Sequence, residues 1–218
     1  MFPDITRDDI FRLETRRLWL RWLRATDAAA LANFASLAAV AQMTASIPHP
    51  YPAGEAERFI LKAREETAGG QSLILGITLK NKARTLIGVV SAEAGAGRNA
   101  EIGYMIAPSA AGRGFATEAA FALIDTIFSL TETQTIVANT RDHNKASRRV
   151  LEKCGFAFTG SAPTNLPARG GLHPCDHFAL TRSNWASRDR TRRMPGMAQQ
   201  IARRDEEAAR ANGMGWDQ

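Results

Sequence analysis

Cysteine is scarce here, and no long apolar run occurs. Only Cys154 and Cys175 are present, with no CxxC spacing, so neither a disulfide framework nor a thiolate metal ribbon is expected, and a reduced compartment fits best. No segment approaches the roughly 20 consecutive apolar residues a membrane span requires, and the opening MFPDITRDDI mixes acids and bases without an apolar run, so an unsecreted protein is expected. The expectation is a soluble, cytoplasmic protein with no membrane partner. His173 and His177 flank Cys175, but Pro174 and Asp176 fall between them and no further ligand cluster exists, so no metal is assigned. A Gly-Lys-Ser/Thr phosphate loop is missing, as is any internal repeat.

What is present suits a single α/β domain. The 218 residues are 44% hydrophobic, enough for one well-filled core over 1–185, followed by a charged tail over 186–218 in which Met197 to Ala211 has the makings of a helix with a thin apolar face. Formal net charge is +6, which admits nucleic acid, an acidic protein surface or a phosphorylated small molecule. Arg141, Lys145, Arg148, Arg149 and Lys153 against Asp142 and Glu152 form one compact basic segment, better suited to a polyphosphate than to a nucleic-acid face.

Local patterns place the elements. Leu18 to Arg24 reads as a strand, and Thr26-Asp27 as the cap of an Ala-rich helix reaching about Ala39. Three prolines between Ser46 and Pro52 fix an extended loop, after which Glu55 starts a helix that Gly69-Gly70 ends. Ser72 to Leu79 and Thr85 to Ala92 suggest a hairpin, and Ala100 to Ile106 a central strand ended by Ala107-Pro108. Apolar residues from Ala116 to Phe128 recur at helical spacing directly after Gly112 and Gly114. A strand over Thr135 to Asn139, a helix from Lys145 to Lys153 closed by Gly155, and strands at Phe156 to Ser161 and Asp176 to Thr181 complete the pattern.

Strand, glycine turn, helix is an anion-binding arrangement. The first amides of a helix lack intrahelical acceptors, the helix dipole adds positive charge there, and Gly112-Arg113-Gly114 brings backbone and a cation close. A tight connection whose glycines serve geometry alone is the competing reading. The dinucleotide fingerprint fails, because Thr117 stands where its third glycine belongs.

The stretch EIGYMIAPSAAGRGFATEAA, followed about thirty residues later by NTRDHNKASRRVLEKCGF, resembles the GNAT (GCN5-related N-acetyltransferase) superfamily. ETRRLWLR, IPHPYPAGEAERFI and GVVSAE look like its branch of ribosomal-protein alanine and serine N-acetyltransferases, and the likeness runs from Arg12 to Trp185. It implies a mixed, mostly antiparallel sheet flanked by helices, with central strands splayed at the site of acetyl-CoA, the co-substrate. By resemblance, Met105 and Ile106 bond the pantetheine arm, Gly112, Arg113, Gly114 and Ala116 hold the pyrophosphate, and Asn144 and Ser147 reach toward the arm and the thioester sulfur. Two positions depart from the pattern: Ser109 stands where Gln or Arg usually opens the turn motif, and Leu151 where many members carry an acidic tyrosine.

Acetyl transfer needs a neutral amine, a stabilised oxyanion and a proton for the thiolate. Glu101, on the central strand, is the candidate base, with a surface salt bridge as its alternative role. Ser147 is the candidate proton donor, unless the thiolate leaves without a dedicated acid, its pKa being far below an amine's; Tyr104 stands behind it as a residue that otherwise packs within the sheet. Asn144 is also a natural helix cap. His49 and Tyr51, in the proline loop, are candidates for the acceptor wall, or else structural. The leading expectation is an acetyl-CoA-dependent N-acetyltransferase, monomer or homodimer, acting on a protein or peptide N-terminus without binding nucleic acid. The alternatives are a small-molecule amine (amino acid, polyamine or drug) or a non-catalytic acyl-CoA sensor. Few acids are visible near the acceptor loop, which favours a peptide over a polycation.

Overall fold

The computed structural model describes residues 1–187, so all but the first two residues of the expected tail, including its helix over 197–211, lie outside the described residues. Within them eight strands form one sheet: β1 (Arg12–Glu14), β2 (Leu18–Trp22), β3 (Ser72–Leu79), β4 (Lys82–Ala94), β5 (Asn99–Ile106), β6 (Thr135–Arg141), β7 (Ala157–Leu166) and β8 (Gly171–Thr181). Their spatial order is β1-β2-β3-β4-β5-β6-β8-β7. The helices are α1 (Ala28–Ala35), α2 (Ala38–Ala41), α3 (Glu55–Ala68), α4 (Phe115–Leu130), α5 (Lys145–Cys154) and α6 (Arg182–Ala186).

Every neighbouring pair is antiparallel except β5 and β6, which run parallel and share only the register Asn99↔Thr135, Ala100↔Ile136 and Glu101↔Val137. Beyond Glu101 the two strands part. β5 continues to Ile106 against β4, and β6 continues to Arg141 against β8. The expected splay is therefore an interruption in the middle of an otherwise continuous sheet.

Both faces of the central strands are covered, which explains why β3 is apolar along almost its whole length rather than alternating. Leu73, Leu75 and Ile77 join Leu123, Ile124, Ile127 and Phe128 of α4 in one core, while Ile74 joins Leu31, Phe34, Ile60 and Ala63 of α1 and α3 in the other. In β4 the register skips Ile87, a bulge that turns this side chain into the α4 core although its neighbours Leu86 and Val89 belong to the opposite one.

Several expected boundaries shift. The Ala-rich helix breaks at Ser36-Leu37, where Leu37 is extended, into α1 and the four-residue α2. Asp27 does not cap α1 with its side chain. Its carboxylate instead accepts two 2.8 Å bonds from the Arg21 guanidinium and one from the Arg24 N–H, a nearly buried ion pair that ties the end of β2 to the helix start. β7 and β8 extend well past the expected strands into a long hairpin turned at Pro167–Arg169. β1 and α6 are additions, each too short to carry a period.

Candidate active site

The glycine turn sits at the head of α4, beside the open end of β5. Gly112 and Gly114 have φ of 74° and 77°, in the left-handed region that costs an L-residue about 1–2 kcal/mol. A Cβ at 112 meets nothing within 4 Å, so packing does not require this glycine. Conformation does, and the space in front stays open. The Glu118 N–H bonds the Gly114 carbonyl at 3.0 Å, and the amides before it are the helix's spare donors. Arg113 and Ala116 flank this turn, and half-buried Met105 and Ile106 end β5 where β6 has already left.

The first turn of α4 also holds a group that the sequence reading missed. Glu118 is buried, and its carboxylate accepts from Thr15 Oγ1 at 2.6 Å, from the Arg17 N–H at 2.8 Å and from Arg17 Nε at 2.6 Å. Burial pushes its pKa up, but these bonds and the Arg17 charge outweigh burial and hold it below the usual value. No spacing rule joins positions 17 and 118, so only the tertiary fold reveals the pair.

Across the gap, Asn144 caps α5, its Oδ1 accepting from the Ser147 N–H at 3.1 Å. Ser147 faces the Tyr104 hydroxyl, which lies 2.9 Å from Ser147 Oγ and 3.1 Å from the Ser147 carbonyl. Tyr104 thus does more than pack: it links β5 to α5 where β5 and β6 separate. Burial drives its pKa well above the usual phenol range, with the Ser147 bond acting in the opposite sense. Leu151 is buried in the core, so no side chain reaches the gap from that position.

Glu101 and Ser147 are not in contact but on opposite faces of the sheet. β5 alternates, with Ala100 and Ile102 in the α4 core and Tyr104 packed on it, whereas Met105 packs on the α1/α3 core. Glu101 shares the Met105 face. It is exposed at the fork of the splay and accepts from Asn139 Nδ2 at 3.0 Å. No ion pair to Glu101 occurs among the described residues. Its cross-strand partner is Glu93, whose pKa is raised by burial and then by Glu66 and Glu101. Glu66, Glu93 and Glu101 are brought together from three elements, with Lys62 among them and paired to Glu66 at 3.5 Å.

The proline loop forms one wall of this face. Tyr51 packs on the α1/α3 core, and its hydroxyl is buried without a hydrogen-bond partner among the described residues. Burial, then Glu55 and Glu57, push its pKa up to about 12. His49 is exposed. The loop is anchored from the far side of the splay: Arg141 Nη1 donates to the Gln42 carbonyl at 3.2 Å, the Ala168 N–H to that of Ala45 at 3.1 Å, and Arg169 Nη2 to that of Ile47. The β7–β8 hairpin thus braces the proline loop, a role its sequence did not suggest.

Comparison with known proteins agrees with this geometry. The sequence pattern of the family described as "Acetyltransferase (GNAT) domain" matches residues 17–157. YdaF of Bacillus subtilis (strain 168), named as a candidate ribosomal N-acetyltransferase, is 34% identical over 88 residues, 40% of this chain and 48% of YdaF, so the match spans about half the length of that relative. The structure resembles Mycobacterium smegmatis RimJ in complex with CoA-disulfide at 26% identity and a TM-score of 0.66, covering 78% of this chain and 86% of that one. It also shares the fold of the ribosomal-protein-S5-alanine acetyltransferase of Vibrio fischeri, with a TM-score of 0.67 at 22% identity over 80% of this chain and 98% of that one. An eight-stranded sheet opened at its single parallel pair, with a glycine turn heading the helix beside the opening, is the structural form of that sequence match, and the chain belongs to the GNAT acetyltransferase family.

Proposed function

We propose that this acetyltransferase moves the acetyl group of acetyl-CoA to a primary amine at a protein or peptide N-terminus, by direct attack in a ternary complex. The observation that carries the reading is the splay itself: β5 runs free past Glu101, with a carboxylate on one face and the Ser147–Tyr104 hydroxyls on the other. An acceptor on the α1/α3 face and a thioester reached through the gap would meet there. The residues fit coenzyme A, since the open Gly112–Gly114 turn and the spare amides of α4 suit a pyrophosphate, and the unpaired edge of Met105 and Ile106 suits the pantetheine arm.

Bound acetyl-CoA supplies the activated acetyl thioester. Glu101, fixed by Asn139, takes a proton from the incoming ammonium through a water, and Glu93 beside it, together with Glu66 less the charge of its partner Lys62, favours a cationic amine arriving at that face. The neutral amine would then bond to the thioester carbonyl carbon as the carbon–sulfur bond breaks, Ser147 passing its proton to the leaving sulfur and taking the one that the new amide nitrogen sheds. Tyr51 and His49 line the acceptor wall. The peptide preference follows from the named roles of YdaF and the Vibrio fischeri enzyme. The acidic trio favours a second reading, a small cationic amine such as a polyamine.

A thiol-release assay with acetyl-CoA across N-terminal peptides, polyamines and amino acids tests the proposal. Release with N-terminal peptides is expected; release with polyamines alone would select the second reading, and none with any acceptor despite coenzyme A binding would indicate a sensor. Glu101→Gln is expected to lower kcat by about 10²-fold, as for loss of a general base, with the KM for acetyl-CoA nearly unchanged. Unchanged kcat would remove Glu101 from the mechanism.

A further inference from the structure

Arg17 stands at the entry to β2, yet its guanidinium is built into the glycine turn. Its Nε is spent on Glu118 Oε2 at 2.6 Å, and its Nη1 donates to the Arg113 carbonyl at 3.0 Å. Nη2 lies 3.5 Å from the position a Gly114 Cβ would occupy. The guanidinium carbon sits 4.5 Å from the centroid of the Phe115 ring, which Arg113 also approaches, at 4.9 Å. A cation needed only to neutralise Glu118 would require one edge of the guanidinium. Here the second edge is carried along the turn, and the side chain remains 36% exposed, enough to reach a ligand.

The consequence is electrostatic. A buried carboxylate in the first turn of α4 would repel an anion at the adjacent amides; one edge of the Arg17 guanidinium answers it, while the other edge lies along the turn beside Arg113. The geometry points to Arg17 as a second, preorganised cation of the Gly112–Gly114 anion site: a phosphate ligand delivered by the β1–β2 hairpin. Planar guanidinium held by a carboxylate, a carbonyl and an aromatic face loses little freedom on meeting a phosphate. The inference rests on the coenzyme A reading above and adds a ligand to it.

Titrations of coenzyme A, of pantetheine, which carries the arm without phosphate, and of inorganic pyrophosphate test it on three proteins: wild type, Arg17→Met, and Arg17→Met combined with Glu118→Gln, which leaves no unpaired buried carboxylate. Both variants are expected to bind coenzyme A and pyrophosphate at least tenfold more weakly, with a shallower salt dependence, while pantetheine affinity stays within twofold. Coenzyme A affinity unchanged in the double variant overturns the inference, as does an equal loss for coenzyme A and pantetheine, the mark of a merely structural role. Wild type that binds pyrophosphate in an Arg17-dependent way but not coenzyme A would keep Arg17 and sink the cofactor reading; wild type that binds neither sinks both.

Discussion

A hydroxyl carries one proton and can serve one acceptor at a time. Tyr104 donates either to the Ser147 carbonyl or to Ser147 Oγ, and in the second case the proton of Ser147 is free to face the gap. Because burial raises its pKa so far, Tyr104 stays neutral and orients Ser147 rather than yielding a proton itself. Tyr104→Phe is expected to lower kcat about three- to tenfold without raising KM, and in a Ser147→Ala background to cost nothing further. Additive losses in that double-mutant cycle would separate the two residues. Glu118 gives a pH prediction. Its folded pKa is lowered, so its bonds contribute stability above the ordinary glutamate range, near 4.3, and that contribution is lost as pH falls through the depressed value. Wild type should exceed Glu118→Gln in Tm at pH 7, and the gap should shrink at about pH 3.5; a gap independent of pH would show that charge is not what Glu118 provides.

Elements with a strong local signal were legible. The repeat of Ala119, Leu123, Ile127 and their neighbours locates α4 within two residues of its observed ends, and Gly155 stops α5 in the left-handed conformation expected of a helix-ending glycine. What the sequence could not show is register. That β5 and β6 pair over three positions and then separate, that Glu93 lands opposite Glu101, and that the β7–β8 hairpin reaches the proline loop depend on contacts between distant residues that leave no period. The glycine turn lies between these cases, visible as a motif but ambiguous in purpose. Gly112→Ala separates the two purposes. Left-handed strain alone costs about 1–2 kcal/mol of stability, and since its Cβ meets no protein atom, a tenfold or larger fall in coenzyme A affinity beside that modest loss is the expected sign that the open space belongs to a ligand. Unchanged affinity would reduce the turn to a connection.

At the scale of the whole molecule, the α/β class followed from the order of the elements, and the mostly antiparallel sheet with splayed central strands from the family resemblance, whereas the register at which the strands part did not. Five strands, β1 to β5, form one antiparallel unit and three, β6 to β8, form another. Three register positions pair them directly, and the shared α4 core, the Tyr104–Ser147 and Asn139–Glu101 bonds and the proline-loop anchors tie them further. Such a molecule is an arch whose keystone comes from outside. Whatever fills the seam supplies partners to two strand edges at once, so the binding of coenzyme A should act on the protein as a cross-link acts. At a hundred times its Kd it should add about 2.7 kcal/mol of stability, and the protection it confers against hydrogen exchange should appear first in the backbone of 102–106 and 138–141, the two banks of the seam, rather than at the glycine turn. Protection confined to the turn would mean that the halves are already locked. If the banks are protected together, coenzyme A stiffens a seam between two half-sheets that already share the α4 core and the proline-loop anchors.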